Sequence, residues 1–377
     1  MRTLILSISA GGGHMNAAEA VQCYINNSSY NNTVKLVDTI KYINPFLEKV
    51  VIGSYLKSLK LSPGLFGKLY DLAEKEDGIA SFSNKINEFI IYKLIPLIQD
   101  FNPDIIVTTH PFPTEMMSII KKKRIFEIPV AAILTDYAPH CFWIHPNIDA
   151  YIVSNDEMVE EMKKRGVHKD LVYPLGIPVK PEFLKTHSRK STLTALNLKE
   201  DTFTILIMGG SMGMGKISVI YNELQKVEKE IQIIVITGNN KKLMSQLYDI
   251  SNSAKKTTRL IGYSSEISQF MQACDLLITK PGGLTVTEAL ISKIPLALFT
   301  AIPGQEKKNA EFLFRNNLAV DLGDINGCSK TINELLRAPK YLTSLKANYT
   351  KYAKPTSGKD IYCLLNELVN NYESFYI

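Results

Sequence analysis

The chain has 377 residues, of which 45% are hydrophobic and 21% are charged, a balance that excludes a disordered or fibrous protein and is typical of two folded domains. Its net charge of +6 is too small to indicate nucleic-acid binding without a concentrated basic patch. The five cysteines are widely spaced and include no C-x-x-C pair, which we interpret as reduced thiols in a cytoplasmic protein.

Short runs rich in β-branched residues alternate with helical patterns, which predicts βαβ units and parallel sheets covered on both faces. The predicted strands are residues 3–9, 34–37, 104–109, 129–134 and 150–153 in the first half, and 203–208, 232–237, 259–261, 276–279 and 296–299 in the second. Two prolines and a glycine between 174 and 178 mark a domain boundary. We therefore predict an α/β protein with Rossmann-like domains at 1–176 and 177–354, and a C-terminal helix, 355–377, that packs back on the first domain.

The first predicted strand is followed by three glycines and a histidine, Gly11-Gly12-Gly13-His14. Glycines at a strand-to-helix turn let a ligand approach the backbone closely, and the N-terminus of a helix favours negative charge. Open α/β sheets bind their ligands at this edge. His14 is therefore a candidate catalytic residue, and a capping or packing histidine is the alternative.

The stretch from 41 to 101 interrupts the βα alternation, because lysines are interleaved with apolar residues there. The lysines are Lys41, Lys49, Lys57, Lys60 and Lys68. We predict an amphipathic insert that binds an anionic membrane surface, with packed core helices and solvated lysines as the alternative. The sequence has no apolar run long enough for a spanning helix, so membrane contact is expected to be peripheral.

Asp136 follows the predicted strand at 129–134 and is expected at the same edge of the sheet as His14, which makes it the second candidate for a catalytic residue. His140, Trp143 and His145 come shortly after it. No acidic or cysteine partner follows these histidines at metal-ligand spacing, so we predict no metal site here.

A second glycine-rich loop, residues 209–215, follows the predicted strand at 203–208. Gly210, Ser211 and Gly213 in this loop suit a phosphate group held by backbone N–H groups. The loop is not a Walker A motif, because Ile217 stands where that motif requires Ser or Thr after Lys216.

The third motif is a turn at Gly282 and Gly283 that leads into a helix carrying Thr285 and Glu288. A carboxylate that accepts from two hydroxyl groups is how a ribose diol is held. The alternative is a capping box made by Thr285 and Glu288. Further along, amide and carboxylate groups suited to sugar hydroxyls occur at Gln305, Glu306 and Asn309.

As a set, these motifs resemble the GT-B glycosyltransferases of the family that contains monogalactosyldiacylglycerol synthase, the processive diacylglycerol glucosyltransferases and, more distantly, the N-acetylglucosaminyltransferase that makes lipid II. The resemblance covers nearly the whole chain and is carried by the glycine loop with His14, the 135–153 stretch, the 176–178 turn, and the Lys280-Pro281-Gly282-Gly283 and Pro303-Gly304-Gln305-Glu306 motifs. It implies two Rossmann-like domains that face a cleft.

The resemblance also implies a role for each candidate residue. Gly210, Ser211 and Gly213 would lie at the diphosphate, and Tyr263 and Ser264 would flank the uracil. Glu288 would bind the ribose, the donor sugar would meet Gln305, Glu306 and Asn309, and His14 would lie on the acceptor side.

The expected function is an inverting transfer of a hexose, with glucose as the expected sugar, from a UDP-sugar to diacylglycerol by an enzyme peripheral to the inner face of the cell membrane. The expected partners are a UDP-hexose donor, diacylglycerol or a glycolipid as the acceptor, and an anionic membrane surface. No cofactor or metal is expected, because the sequence contains no Asp-x-Asp motif for a metal-bridged diphosphate. Three alternatives remain open: a UDP-sugar 2-epimerase-like isomerase, transfer of N-acetylglucosamine to a peptidoglycan precursor, and a non-catalytic nucleotide-sugar-binding regulator.

Overall fold

The computed structural model of this chain describes residues 1–9, 12–44, 90–299 and 304–374. These residues form two compact units. The first contains the described residues up to Pro181 together with 304–308 and 354–374, and the second contains 182–299 and 309–353. The first unit thus extends past the boundary that we predicted at Gly176. The predicted amphipathic insert falls largely on residues 45–89, outside the described residues.

The described strands, numbered in chain order, are β1 (Arg2–Ser7), β2 (Thr33–Asp38), β3 (Ile105–Thr108), β4 (Val130–Ile133), β5 (Ala150–Ile152), β6 (Val172–Tyr173), β7 (Phe203–Met208), β8 (Ile231–Ile236), β9 (Thr257–Ile261), β10 (Leu276–Thr279), β11 (Leu296–Leu298) and β12 (Ala319–Asp321).

The described α-helices are α1 (Gly13–Ser28), α2 (Thr39–Ile43), α3 (Ile95–Phe101), α4 (Pro111–Lys122), α5 (Asp156–Lys164), α6 (Arg189–Ala195), α7 (Ile217–Leu224), α8 (Lys241–Ser251), α9 (Ile267–Ala273), α10 (Gly283–Ser292), α11 (Gln305–Arg315), α12 (Cys328–Arg337), α13 (Pro339–Tyr352) and α14 (Ser357–Ser374). Short 3-10 helices occur at Ile91–Lys93, Cys141–Trp143, Lys169–Leu171, Pro181–Leu184 and Ile325–Gly327.

The first unit is built on a parallel sheet with the order β2-β1-β3-β4-β5-β6. Along β1, Leu4 and Leu6 face one side of the sheet and Ile5 faces the other, as the two-residue period of a strand requires. Helices α3, α4 and α5 cover the Leu4 side, and α1 and α14 cover the Ile5 side. Both faces are therefore covered, which explains why the central strands β3 and β4 are almost entirely apolar.

The C-terminal helix α14 belongs to the first unit, where it packs on α1. Its first residue, Ser357, donates a hydrogen bond of 2.9 Å from Oγ to the carbonyl oxygen of Gly176. Gly358 lies against the ring of Tyr24 in α1, so closely that a Cβ atom there would be 2.0 Å from the ring. This close approach explains why the second residue of the helix is a glycine.

The second unit repeats the same architecture with a parallel sheet of order β12-β11-β10-β7-β8-β9. Its central strands β7, β8 and β10 are buried along nearly their whole length. The carboxyl ends of β7, β9 and β10 lead into the loops that carry the candidate donor-site residues.

Two strands, β6 and β12, were missing from our prediction, and both are the last strand at one edge of a sheet. The first has only two residues and the second has three, one of them the exposed Asp321. Because an edge strand needs only one partner and little burial, neither one carries an apolar run long enough to predict.

Candidate active site

In each unit, a glycine-rich candidate loop lies where the strand order reverses. In the first sheet the chain passes from β1 to β2 on one side and then to β3 on the other side of β1, so the loops after β1 and β3 diverge there. The second sheet reverses in the same way between β7 and β10. Such a switch point at the carboxyl ends of the strands leaves a crevice in which α/β proteins bind ligands.

His14 lies in the first turn of α1, directly after the switch point of the first sheet. Its Nδ1 atom is 2.8 Å from the carbonyl oxygen of Thr109 and 2.8 Å from Oγ1 of Thr135, which follow β3 and β4. Oγ1 of Thr109 in turn lies 2.7 Å from Oγ of Ser7 at the end of β1. Three neighbouring strands therefore orient this imidazole.

The contact with the Thr109 carbonyl assigns the proton of the neutral His14 ring to Nδ1. A carbonyl oxygen only accepts hydrogen bonds, so Nδ1 must be the donor and the neutral ring must hold its lone pair at Nε2. Desolvation lowers the pKa of His14 from 6.5 to about 4, and the hydrogen bond to Thr109 opposes that shift. His14 is therefore neutral at pH 7, with Nε2 able to accept a proton.

The structure brings a second histidine, His110, beside His14. The two ring centroids are 4.6 Å apart, with an interplanar angle of 72°. His110 caps the N-terminus of α4, because its Nδ1 accepts a hydrogen bond of 3.1 Å from the backbone N–H of Phe112. Sequence reasoning missed this residue. The available signal was its position directly after a buried strand, at the edge of the sheet where ligands bind.

The remaining histidines of this region have structural contacts. His140 is buried, and its Nδ1 accepts from the N–H of Phe142 at 3.2 Å. His145 lies 2.8 Å from the carbonyl oxygen of Phe142 through Nε2, and burial lowers the pKa of His145. Trp143 is buried with its ring centroid 6.3 Å from that of His14. In the described part of the chain, no cluster of three or more His, Cys, Asp or Glu side chains is arranged to hold a metal ion.

Asp136 follows β4 at the same edge of the sheet as His14 and is half-buried. It comes directly after Thr135, whose hydroxyl contacts the His14 ring. The two predicted catalytic residues, His14 in the first turn of α1 and Asp136 in the loop after β4, therefore lie at one edge of the sheet.

In the second unit, the glycine-rich loop after β7 folds back on itself. The N–H of Gly213 donates to the carbonyl oxygen of Gly210 at 3.0 Å, and Nδ2 of Asn240 donates to the carbonyl oxygen of Gly213 at 3.1 Å. The φ angles of Gly210 and Gly213 are 71° and 52°, which favour glycine. Because the Gly213 amide is engaged in the turn, this residue shapes the loop. The diphosphate contacts expected of Gly210, Ser211 and Gly213 stay a prediction.

The turn after β10 lies next to that loop. A Cβ atom on Gly210 would be 3.2 Å from Cε of Lys280, which places a lysine side chain beside the glycine loop. Helix α10 begins at Gly283, and its N-cap is Gly282, with no side-chain capping bond. The capping box of Thr285 and Glu288 that we considered is therefore wrong, since both residues lie inside the helix. Both are half-buried.

Helix α11 carries the three residues expected at the donor sugar. Asn309 is fully buried and donates from Nδ2 to the carbonyl oxygen of Pro281 at 3.0 Å, so it supports the turn before α10. Gln305 groups with the first unit, where its Nε2 donates to the carbonyl oxygen of Ala138 at 2.6 Å. Glu306 also groups with the first unit and is half-buried.

The loop after β9 carries the residues expected to flank the base. Tyr263 is 65% exposed, which leaves its ring accessible for stacking. The Oγ atom of Ser264 accepts a hydrogen bond of 3.0 Å from the N–H of Glu266 and so stabilises the loop.

Comparison with known families covers both units. Residues 14–179 match the family model of monogalactosyldiacylglycerol (MGDG) synthase. Residues 204–355 match the glycosyltransferase family 28 C-terminal domain. The chain thus combines an MGDG synthase domain with a glycosyltransferase family 28 C-terminal domain.

Sequence similarity to individual proteins extends along nearly the whole chain. A processive diacylglycerol beta-glucosyltransferase from Bacillus pumilus (strain SAFR-032) is 29% identical over 380 residues, which cover 98% of this chain and 97% of that protein. The family assignment made from the motifs is therefore confirmed.

Solved structures with the same fold include HepE from Anabaena in complex with UDP-glucose, at a TM-score of 0.59 and 14% identity, covering 97% of this chain and 100% of that one. A UDP-GlcNAc 2-epimerase from Neisseria meningitidis bound to UDP-GlcNAc has a TM-score of 0.64 and 15% identity, with 97% and 100% coverage. The GT-B fold is thus shared with epimerases, and the family match rather than the fold favours glycosyl transfer over epimerisation.

Proposed function

We propose that this protein transfers glucose from UDP-glucose to the hydroxyl group of diacylglycerol with inversion at the anomeric carbon. The activity in the name of the Bacillus pumilus relative supports this choice of sugar and acceptor. The observation that carries the chemistry is the His14 ring, which is neutral and held by Thr109 so that Nε2 is the basic nitrogen.

On the acceptor side, the hydroxyl oxygen attacks the anomeric carbon and its proton passes to Nε2 of His14. The bond from the anomeric carbon to the β-phosphate oxygen breaks, and its electron pair leaves with UDP. A positioned general base of this kind typically contributes about 10²–10⁴-fold to the rate. Asp136 is the second candidate for the base, because it lies at the same edge of the sheet.

On the donor side, the leaving diphosphate needs positive charge and hydrogen-bond donors. The backbone of Gly210 and Ser211 and the adjacent Lys280 side chain supply these in the second unit. Glu288 in α10 accepts from the ribose diol, and Asn309 holds the preceding turn in place through Pro281. We infer that these groups make a divalent metal unnecessary.

The acceptor is a lipid, so we propose that the protein works at an anionic membrane surface. No helix within the described residues is long and apolar enough to cross a bilayer. Support for surface binding comes from the lysine-rich sequence between 41 and 70, with five lysines and one glutamate.

The test is to incubate the purified protein with vesicles containing diacylglycerol and, separately, UDP-glucose, UDP-galactose or UDP-N-acetylglucosamine, and to separate the lipids by thin-layer chromatography. We expect a glycolipid from UDP-glucose. Product from UDP-galactose alone would change the donor and keep the reaction class. Release of a 2-epimerised UDP-sugar with no glycolipid would overturn the proposal.

A further inference from the structure

The two neighbouring histidines of the first unit hold their protons on opposite nitrogens. His14 donates from Nδ1 to the carbonyl oxygen of Thr109, so its lone pair is at Nε2. His110 accepts at Nδ1 from the N–H of Phe112, so its neutral ring carries the proton at Nε2. Two rings with centroids 4.6 Å apart therefore present one acceptor nitrogen and one donor N–H.

Of the two ring nitrogens of His110, Nδ1 is the one that caps α4. Capping α4 requires one acceptor, and a short Ser, Thr, Asp or Asn side chain is the usual residue for that purpose. Both histidines are half-buried rather than buried, at the edge of the sheet where the strand order reverses. The Nε2–H of His110 is thus a polar group that the cap does not require.

The two tautomers persist at neutral pH. Desolvation lowers the pKa of His110 well below 6.5, and the neighbouring His14 lowers it further because two adjacent imidazolium ions would repel each other. Desolvation lowers the pKa of His14 in the same way. Both rings are consequently neutral, with a fixed donor and a fixed acceptor.

We propose that the Nε2–H of His110 donates a hydrogen bond to the acceptor hydroxyl oxygen whose proton passes to Nε2 of His14. This inference rests on the proposed glucosyl transfer. A hydroxyl group has one hydrogen and two lone pairs. His14 takes the hydrogen, His110 engages one lone pair, and the other attacks the anomeric carbon as the bond to UDP breaks. The contribution of His110 is alignment of the attacking lone pair.

Two substitutions at His110 separate this role from capping. His110→Asn keeps an acceptor for the Phe112 N–H and loses the distal donor. His110→Gln places its amide nitrogen near the position of Nε2 and loses the cap. Each variant is compared with the parent for kcat and KM toward diacylglycerol, UDP affinity by calorimetry, and the midpoint of thermal unfolding.

We expect His110→Asn to lower kcat/KM for diacylglycerol about three- to tenfold, the scale of one lost neutral hydrogen bond, with unchanged UDP affinity and unfolding midpoint. His110→Gln should retain more activity than His110→Asn and unfold at a lower temperature. Ser188→Ala, which removes a helix cap at the start of α6 in the second unit, shows what cap loss alone does to activity.

The reverse order, with His110→Gln less active than His110→Asn, would show that His110 only caps α4 and would overturn the inference, as would equal activities in the two variants. Inactivity of the parent with every UDP-sugar would overturn the proposed function instead. The ¹⁵N spectrum of histidine-labelled protein gives a readout independent of activity: we expect Nε2–H for His110 and Nδ1–H for His14, and Nδ1–H for His110 would overturn the inference.

Discussion

The role proposed for His14 depends on a proton held at Nδ1 by a backbone carbonyl. Thr109 O and Thr135 Oγ1 surround that nitrogen at 2.8 Å each. Because the ring is already oriented, it loses little rotational freedom when the acceptor binds. This suits a general base better than a side chain that only contacts the lipid. Because its pKa is lowered to about 4, His14 is a weaker base than an ordinary histidine, and it remains deprotonated across the physiological pH range.

The first prediction tests this role by substitution. His14→Ala should lower kcat by about 10²–10⁴-fold, since the loss of a general base falls on the transition state. UDP affinity, measured by calorimetry, should change little. His168→Ala is the matched control, because His168 is an exposed histidine beside Asp170 on the surface. A loss confined to the KM for diacylglycerol would reduce His14 to a positioning role.

The second prediction concerns the pH dependence of stability. The pKa values of His14 and His110 are lowered in the folded protein, mainly by desolvation, whereas unfolded histidines titrate near pH 6.5. Between about pH 6.5 and 4 the unfolded chain therefore binds more protons, and the free energy of unfolding should fall as the pH is lowered through this window.

Urea unfolding at a series of pH values measures that slope. In His14→Gln one desolvated imidazole is gone and His110 loses its repelling neighbour, so the decline in stability should be shallower than in the parent. An equal slope in both proteins would contradict the lowered pKa of His14.

At the scale of single elements, the glycine loop after β7 depends on backbone that other residues rarely adopt. Gly213 has a φ angle of 52°, and a Cβ atom there would be 2.2 Å from the carbonyl oxygen of Thr237. The loop is further tied to α8 through Asn240, which also caps that helix by accepting from Leu243 N–H at 2.9 Å. The candidate diphosphate site is thus part of the framework of the second unit.

The third prediction is that Gly213→Ala destabilises the protein. Left-handed backbone costs a residue other than glycine about 1–2 kcal/mol, and the clash with Thr237 adds to that figure. Gly327→Ala is the control, because no atom lies within 4 Å of its added Cβ and its φ angle is −141°. Equal unfolding free energies for the two variants, measured in urea, would refute the strain argument.

At the scale of the whole molecule, both units place their candidate residues by the same rule. The strand order reverses beside β1 in the first sheet and beside β7 in the second, and a glycine loop follows each of these strands. The first unit carries His14, His110 and Asp136 together with Gln305 and Glu306 of α11, and the second carries the glycine loop, Lys280 and Glu288. The histidines expected at the acceptor and the glycine loop expected at the diphosphate therefore belong to different units.

The fourth prediction is that turnover needs no divalent metal. The expectation rests on the missing Asp-x-Asp motif and on the position of the Lys280 side chain beside the glycine loop. Glucosyl transfer measured after exhaustive treatment with EDTA should remain close to that of the untreated protein. Full loss of turnover that magnesium or manganese restores would contradict this account.

The fifth prediction is that the lysine-rich sequence holds the protein at the membrane. Each lysine near an anionic surface contributes about 1 kcal/mol, so replacing Lys41, Lys49, Lys57, Lys60 and Lys68 with glutamine should weaken sedimentation with anionic vesicles and reduce its salt dependence. Calorimetric UDP affinity should stay unchanged. Undiminished vesicle binding by the substituted protein would exclude this segment as the membrane contact.

The sequence alone determined the parts of this protein that depend on local pattern. Buried parallel strands such as β7 and β10 are almost entirely apolar, and the glycines that follow β1 and β7 form visible clusters. His14 was found for the same reason, since the residues around it in the chain form a strand-to-helix turn. The family motifs in addition predicted the GT-B fold and the class of reaction.

Only the tertiary structure decided features that depend on residues far apart in the chain. His110 joins the site because β1 and β3 are neighbours in the sheet, which brings together residues such as His14 and Thr109 that are 95 positions apart. The start of α10 at Gly283 excluded the capping box, which the residue spacing could not do. The tautomer of His14 and its lowered pKa follow from a carbonyl oxygen and from burial, and neither is encoded near His14 in the sequence.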